Sequence, residues 1–233
     1  MPVPLLLQPG AALGLSPEYN CWCTAGIEVR DCENERRILT VAHGVGALAR
    51  GYTANHPVVF RTQARMFHDV GVVASSSPES WPESSPCDIE IDAALIAPLP
   101  HVVLGRRISN DIKTRVTVVR EGEVRYGSEV MMRGAESGFR SATVLGTDVD
   151  VYLTNPLGAD HGYRGLIAVM AEDGRPFARQ GDSGAAVVRS DGQLVGIVVG
   201  AEEAARGADS MAYVQPMYQI VRCLGLLSPH LDE

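Results

Sequence analysis

Ser183 stands in a glycine turn, within the stretch RQGDSGAAV at residues 179–187. A serine hydroxyl is a poor nucleophile at neutral pH, so it attacks a carbonyl only when a nearby base takes its proton. That base is most often a histidine, which a carboxylate orients and stabilises in its charged form. Ser183 therefore has chemical meaning only if a histidine and a carboxylate occupy special settings elsewhere in the chain.

One of the six histidines ends an apolar segment. His43 stands in TVAHGV, where small neighbours leave room for the imidazole and the following glycine permits a sharp turn. The other five stand in polar or proline-flanked stretches typical of the surface: His56, His68, His101, His161 and His230. Taken alone, His43 fits a structural histidine at least as well as a catalytic one.

Asp92 stands directly before the apolar run AALIAPL. A charge at the mouth of a buried strand is costly unless it is paired. Asp88 and Glu90 share the strand phase of Asp92, so periodicity alone does not choose among the three. Asp92 lies deepest in the apolar segment, which favours it as the partner of the histidine.

Glycines flank the Asp182-Ser183 pair and suit a tight turn in which backbone N–H groups converge. The amides of Gly181 and Ser183 could there form an oxyanion hole for a tetrahedral intermediate. Asp-Ser-Gly is also common in ordinary loops, so the turn by itself does not define a site.

The elements that must position these residues are mostly strands. Alternation and short apolar runs predict strands at 23–30, 37–43, 57–67, 70–75, 88–99, 128–134, 141–154, 165–172, 184–190 and 193–201. Residues 75–86, rich in serine and proline, predict a long surface loop. Apolar residues at helical spacing near Pro216 predict one closing helix. Since no long helix falls between strands, the pattern favours an all-β protein of two barrels or sandwiches.

Composition and charge exclude several kinds of partner. The 233 residues carry a formal net charge of −8 without a basic cluster, which argues against nucleic-acid binding. No apolar run approaches the roughly 18 residues of a membrane span, so no membrane contact is expected.

Five cysteines, an odd and sparse set, indicate structural thiols in a reducing compartment: Cys21, Cys23, Cys32, Cys87 and Cys223. Their spacing matches no zinc site, so neither a metal nor another cofactor is expected. We expect a cytoplasmic, intracellular protein, although secretion and one disulfide, such as Cys21 with Cys32, stay open.

Read together, TVAHGV, IDAALI and QGDSGAAV resemble the three signature stretches of the chymotrypsin/trypsin-like serine proteases. They occur in that family's order, 49 residues apart from His43 to Asp92 and 91 from Asp92 to Ser183. The resemblance covers residues 21–227 and implies two six-stranded antiparallel barrels of the chymotrypsin type with a C-terminal helix. The implied divisions are an N-terminal extension (1–20), a barrel with the histidine and aspartate (21–105), a connection (106–126), a barrel with the serine (127–213) and a helix (214–227).

The resemblance also implies the role of each residue. Ser183 is the nucleophile, His43 takes and returns the proton, and Asp92 orients His43. The amides of Gly181 and Ser183 hold the oxyanion, and Asp182 fixes their loop through an ion pair or hydrogen bonds. The implied activity is that of a serine endopeptidase acting on a protein or peptide. A catalytically silent protease-like binding or scaffolding module is the alternative, and a non-peptidase hydrolase with the same triad is a third reading.

Several positions depart from the family pattern. Gly44 replaces the usual cysteine after the histidine, and Arg179 stands where a disulfide normally flanks the serine. These departures indicate a disulfide-poor, intracellular version of the fold. No Ile-Val-Gly-Gly start is visible, which puts activation by a freed N-terminus in doubt and leaves open an activating partner or a regulatory domain.

The expected substrate pocket is apolar. Phe177 stands six residues before the serine, where trypsin-type enzymes keep an aspartate, so cleavage after lysine or arginine is not expected. If Phe177, Val199, Gly200 and Met211 line the pocket, it is partly filled and accepts a small or medium apolar residue.

Overall fold

The chain folds into two β-sheet units and a closing helix. The computed structural model describes residues 4–15, 22–45, 55–62, 64, 66–76, 91–108, 112, 117–154, 160–202 and 210–227. The strands of its first half are β1 (Leu5–Leu7), β2 (Ala12–Gly14), β3 (Cys23–Thr24), β4 (Glu28–Arg30), β5 (Arg36–Thr40), β6 (Pro57–Arg61), β7 (Phe67–Ser76), β8 (Ala94–Pro98) and β9 (Val102–Leu104). Those of the second half are β10 (Glu129–Gly134), β11 (Gly138–Thr154), β12 (Asp160–Met170), β13 (Ala186–Val188), β14 (Leu194–Ala201) and β15 (Met211–Pro216), followed by helix α1 (Met217–Leu224).

The first sheet curls back on itself. Its seven strands follow the order β3-β2-β6-β7-β8-β5-β4, so β3 and β4 lie at opposite edges. Only Ala25–Ile27 joins them along the chain, which forces the two edges together. The break falls at Gly26, where a Cβ atom would lie 2.7 Å from the carbonyl oxygens of Gly184 and Leu39. The single strand predicted at 23–30 is therefore two short strands that occupy one position of a six-position barrel.

The second sheet is a closed barrel in the order β10-β11-β12-β15-β14-β13. The observed architecture confirms the prediction of an all-β protein with two antiparallel barrels and a C-terminal helix. Successive residues of its strands alternate between two apolar clusters, as the two-residue period of a strand requires. Val130 and Met132 of β10 face a cluster made only of barrel and flanking residues, whereas Met131 joins a cluster shared with the first sheet. The outer face of the second barrel thus packs on the first.

The ends of the predicted units differ from the structure. Within the segment predicted as an extension, β1 pairs with β9 and β2 pairs with β3 and β6. These strands are only three residues long, too short for their alternation to stand out from the sequence. The later part of the predicted connection also joins the second unit, because Val119 donates a backbone hydrogen bond to Leu194 O at 2.9 Å and is buried in the barrel cluster.

The closing helix begins later than the predicted residue 214. Residues 214 and 215 are still paired in the sheet, with Val214 opposite Ile167 and Val198, and Pro216 forms the helix N-cap. The predicted strand at 57–67 is likewise two strands, because Thr62 N–H bonds to Met66 O at 2.9 Å and turns the chain. Most of the predicted loop at 75–86 lies outside the described residues.

Cys32 and Cys223 are exposed free thiols. A disulfide between Cys21 and Cys32, which the sequence left open, is therefore not formed; Cys21 and Cys87 themselves lie outside the described residues. In the described ranges no helix is long and apolar enough to span a membrane.

Candidate active site

The first sheet brings His43 and Asp92 together at one of its ends. Strands β5 and β8 are antiparallel neighbours, with Thr40 opposite Ala94. The residues that follow β5 and those that precede β8 therefore meet at the same end of the sheet. His43 opens a short 3₁₀ turn after β5, and its backbone N–H donates to Asp92 Oδ1 at 3.0 Å. Its ring Nδ1 makes a second, short hydrogen bond with Asp92 Oδ2. Asp88 and Glu90, the other candidate carboxylates, lie outside the described residues.

Burial and charge act in opposite directions on this pair. The side chain of Asp92 is 2% exposed and that of His43 is 12% exposed. Burial alone would lower the pKa of His43, but the negative charge and the hydrogen bond of Asp92 outweigh it and raise that pKa above its ordinary value. Burial alone would raise the pKa of Asp92, but the charge of His43 and the hydrogen bonds from His43 and Tyr163 hold it below its usual value. Asp92 is therefore ionised at neutral pH and His43 is a stronger base than a free imidazole.

Tyr163 is a third member of this cluster that sequence reasoning missed. It lies on β12 of the second barrel, 4% exposed, and its hydroxyl donates to Asp92 Oδ2 at 2.9 Å. The surrounding GYRG stretch carries no motif, and the two residues are 71 positions apart. No sequence signal could have linked them, because the contact exists only once the two barrels pack.

Ser183 occupies the expected glycine turn. Gly181 and Gly184 have φ angles of +100° and +92°, which glycine adopts without strain. A Cβ atom on Gly184 would lie 2.4 Å from Thr40 Oγ1 and 3.2 Å from Val41 N, so the turn packs directly against the segment that leads to His43. The Ser183 side chain is half-buried, and its hydroxyl donates to Val199 O at 3.4 Å. Among the described residues, no hydrogen bond joins that hydroxyl to the His43 ring.

The Ser183 turn leaves two backbone donors available. In the part of the chain that the structure describes, the N–H groups of Gly181 and Ser183 have no acceptor. Thr24, fully buried on β3, fixes the turn from the first sheet. Its backbone N–H donates to Ser183 O at 2.7 Å, and its hydroxyl donates to Gly181 O at 2.8 Å. Sequence reasoning also missed Thr24, whose only signal was its place in a short strand.

Asp182 holds the same turn through hydrogen bonds and not through an ion pair. Its carboxylate is fully buried and accepts three backbone N–H groups. Oδ2 accepts from Arg179 at 2.8 Å, and Oδ1 accepts from Glu136 at 2.8 Å and from Ser137 at 3.1 Å. Residues 136 and 137 belong to the turn between β10 and β11, so Asp182 links that turn to the Ser183 turn.

The predicted pocket residues separate into two groups. Val199 and Gly200 lie on β14 beside Ser183, and Met211 starts the neighbouring strand β15, where its carbonyl accepts from Glu202 N–H at 2.9 Å. Phe177 is instead 0% exposed and belongs to the cluster inside the second barrel. A side chain without accessible surface cannot contact a bound substrate, so the structure does not place Phe177 in a pocket lining. Its position six residues before Ser183 did not reveal which way it faces.

The described residues contain no cluster of histidine, cysteine or carboxylate side chains that could hold a metal ion. The groups assembled at this site are a base, a carboxylate, a hydroxyl and two backbone donors.

Several solved structures with this architecture are proteases. Thermobifida fusca Protease A aligns with a TM-score of 0.62 and 20% identity, over 95% of this chain and 97% of that chain. Nocardiopsis protease aligns with a TM-score of 0.63 and 16% identity, and Cellulomonas bogoriensis chymotrypsin with 0.61 and 20%, both with the same coverage. No protein-family model and no curated protein sequence matches the chain. The chain therefore has the fold of the chymotrypsin-like serine proteases, as the sequence motifs predicted.

Proposed function

We propose that this chain is a serine endopeptidase that hydrolyses peptide bonds through an acyl-enzyme on Ser183. The observation that carries the proposal is the buried carboxylate of Asp92 hydrogen-bonded to Nδ1 of His43. A buried carboxylate destabilises a fold unless it is well paired, so its presence calls for an explanation. Binding Nδ1 leaves Nε2 as the ring nitrogen that can accept a proton, which is the state that a general base requires.

Ser183 Oγ attacks the carbonyl carbon of the scissile peptide while His43 Nε2 takes the hydroxyl proton. The amides of Gly181 and Ser183 donate to the oxygen that becomes negative; each donor of this kind is worth about 3 kcal/mol in the transition state. The tetrahedral intermediate collapses as His43 returns the proton to the leaving amine. A water molecule, activated by His43, then hydrolyses the ester on Ser183.

An open strand edge beside Ser183 supports a peptide as the substrate. Beyond Val198, the side of β14 that faces away from β15 has no strand partner among the described residues, because β13 ends its pairing at Ala186 opposite Ile197. An extended peptide can add to such an edge through backbone hydrogen bonds. Residues 199–201 would hold the substrate in line with Ser183.

We propose that the side chain before the scissile bond is apolar and not basic. Val199, Gly200 and Met211 supply no charge to the region beside Ser183. Glu202, at the end of β14, is engaged by the hydroxyl of Tyr213. Phe177, buried in the barrel, stands where a trypsin-type carboxylate would select lysine or arginine.

One observation favours the silent-module alternative. The Ser183 hydroxyl contacts Val199 O and makes no hydrogen bond to His43 in the described structure. Such hydrogen bonds are often long in the absence of substrate and tighten only in the reactive complex. Covalent reactivity of Ser183 separates the two functions.

The test is labelling by a fluorophosphonate, together with hydrolysis of peptides that carry alanine, leucine, lysine or arginine before the scissile bond. The wild type is expected to be labelled, and Ser183→Ala and His43→Ala are expected to lose labelling. Loss of either residue lowers kcat by a factor on the order of 10⁶ in a triad that acts as a unit. Ser190→Ala, at an exposed serine of the β13–β14 turn, is the matched control and should be labelled like the wild type.

A folded wild type that no condition renders reactive would refute the endopeptidase. Labelling at another residue, retained in Ser183→Ala, would do the same. Faster cleavage after lysine or arginine than after leucine would refute only the proposed specificity.

A further inference from the structure

We propose that Tyr163 is a positioning residue of the triad, which holds the Asp92 carboxylate from the second barrel in the orientation that His43 requires. This inference rests on the proposed function and adds to it a residue outside the serine, histidine and aspartate motifs. It also makes the assembly of the site depend on the packing of the two barrels.

The donors around Asp92 are divided between its two oxygens. Oδ1 accepts the backbone N–H of His43 at 3.0 Å. Oδ2 accepts from the His43 ring and from the Tyr163 hydroxyl, the latter at 2.9 Å. Without Tyr163, both remaining donors would belong to a single residue, His43. The tyrosine hydroxyl adds a contact from the opposing barrel, which limits rotation of the carboxylate about its Cβ–Cγ bond.

Burial makes this hydrogen bond strong. Asp92 is 2% exposed and Tyr163 is 4% exposed, so no bulk water competes at the contact. In such surroundings a hydrogen bond to a charged group is electrostatically stronger than in water. The anchor is also firm, because Tyr163 lies within β12 and pairs with Val151 of β11.

The Tyr163 hydroxyl also stabilises the negative charge of the Asp92 carboxylate by donating a hydrogen bond to it. A carboxylate with one donor fewer interacts more strongly with the positive charge that His43 gains when it takes a proton. Removal of the hydroxyl therefore favours protonated His43 and raises its pKa, while it loosens the geometry of the pair. The charged groups that bear on this titration are Asp92 and His43 themselves, with the Tyr163 hydroxyl hydrogen-bonded to the same carboxylate oxygen as the His43 ring.

The test compares Tyr163→Phe with the wild type. The variant keeps the buried ring and removes only the hydroxyl. We expect kcat to fall about tenfold, as for loss of one hydrogen bond to a charged group, with little change in KM. The acid limb of the kcat/KM profile should move to higher pH. Tyr126→Phe, at a tyrosine that is 78% exposed, is the matched control and should leave both quantities unchanged.

A second measurement does not depend on activity. In the Ser183→Ala background, the downfield proton on His43 Nδ1 is followed by NMR as the pH is changed, with and without Tyr163→Phe. We expect the pKa of His43 to be higher in the Phe variant. 3-Fluorotyrosine at position 163, a stronger donor of the same shape, should shift that pKa the other way and keeps the fold even if the Phe variant is unstable.

Equal His43 titrations in the Tyr, Phe and 3-fluorotyrosine proteins would overturn the role of Tyr163, whatever the activity of the wild type. A shifted titration in a protein that no fluorophosphonate labels would retain the role of Tyr163 and refute the endopeptidase instead. The two failures are therefore distinguishable.

Discussion

At the scale of single residues, the buried charge of Asp92 is the costliest group at this site, and its hydrogen-bond partners explain how the fold tolerates it. Asp92 accepts three hydrogen bonds, two from His43 and one from Tyr163. In return, its charge outweighs the effect of burial on His43 and raises the pKa of the imidazole. A single carboxylate thus fixes the tautomer of the base and increases its basicity.

The first prediction concerns pH. Only neutral His43 acts as a base, and its fraction increases as the pH passes through its pKa. Since Asp92 raises that pKa, kcat/KM should reach half its maximum on the acid limb at a higher pH than a free imidazole would give. Asp92→Asn removes the charge and leaves burial to act alone, so the limb should move to lower pH while kcat falls by about 10⁴, the magnitude established for the triad of this class. The measurement is the pH profile of peptide hydrolysis for both proteins. A limb that moves upward in Asp92→Asn would contradict the assigned electrostatics.

At the scale of elements, the Ser183 turn is held by two others, the turn between β10 and β11 and the strand β3. The turn between β10 and β11 places the N–H groups of Glu136 and Ser137 on Asp182, and β3 places Thr24 on the carbonyl oxygens of Gly181 and Ser183. Gly134 permits the approach, because a Cβ atom there would lie 2.1 Å from Asp182 Oδ1. The positions of the Gly181 and Ser183 N–H groups are therefore set by β3 and by the turn between β10 and β11.

Asp182→Asn tests this support. The amide group can still accept at one oxygen, but its NH₂ group would face the Arg179 N–H, so one buried donor loses its acceptor. We expect the free energy of unfolding to fall by about 2 kcal/mol, the cost of leaving a buried polar group unpaired. We also expect kcat to fall about a hundredfold through displaced oxyanion donors. Denaturant unfolding and steady-state kinetics measure the two effects.

The control is Asp69→Asn, at an exposed aspartate of β7, which should change stability by at most about 0.5 kcal/mol. Wild-type kcat in a folded Asp182→Asn protein would show that the turn holds its geometry without the carboxylate.

At the scale of the whole molecule, the site exists only between the two barrels. His43 and Asp92 belong to the first, whereas Ser183 and Tyr163 belong to the second. The larger apolar cluster includes residues of both, among them Leu39 and Leu95 of the first sheet and Leu166 and Ile197 of the barrel. A shared core couples the folding of the two units.

We therefore expect one cooperative unfolding transition for the whole chain. Trp22, whose ring stacks on Phe67 with centroids 5.7 Å apart, reports on the first half by fluorescence. Labelling at Ser183 reports on the second. Leu166→Ala, at a fully buried residue of the second barrel, should lower the free energy of unfolding by about 3 kcal/mol. The unfolding midpoints reported by the two signals should therefore fall together.

Leu227→Ala, at a leucine that is 41% exposed, is the control and should change little. Separate transitions, or a Leu166→Ala effect confined to Ser183 labelling, would contradict a shared core.

The sequence by itself determined the features that are local in the chain. The alternation of apolar residues predicted the strands, helical spacing predicted α1, and the setting of Asp92 before an apolar run predicted its pairing with His43. These features can be predicted from the sequence because each depends on a few neighbouring residues, such as a glycine that permits a turn or a carboxylate before an apolar run.

Only the tertiary structure decided the rest, since it depends on pairs of residues that lie far apart in the chain. Thr24 and Gly181 are 157 positions apart, and Tyr163 and Asp92 are 71 apart. Phe177 was predicted from its spacing to line a pocket and is buried inside the barrel, because spacing along the chain does not fix the direction of a side chain in a loop. Spacing identified the groups that could react, whereas the packing of one barrel on the other determined which neighbours hold them in place.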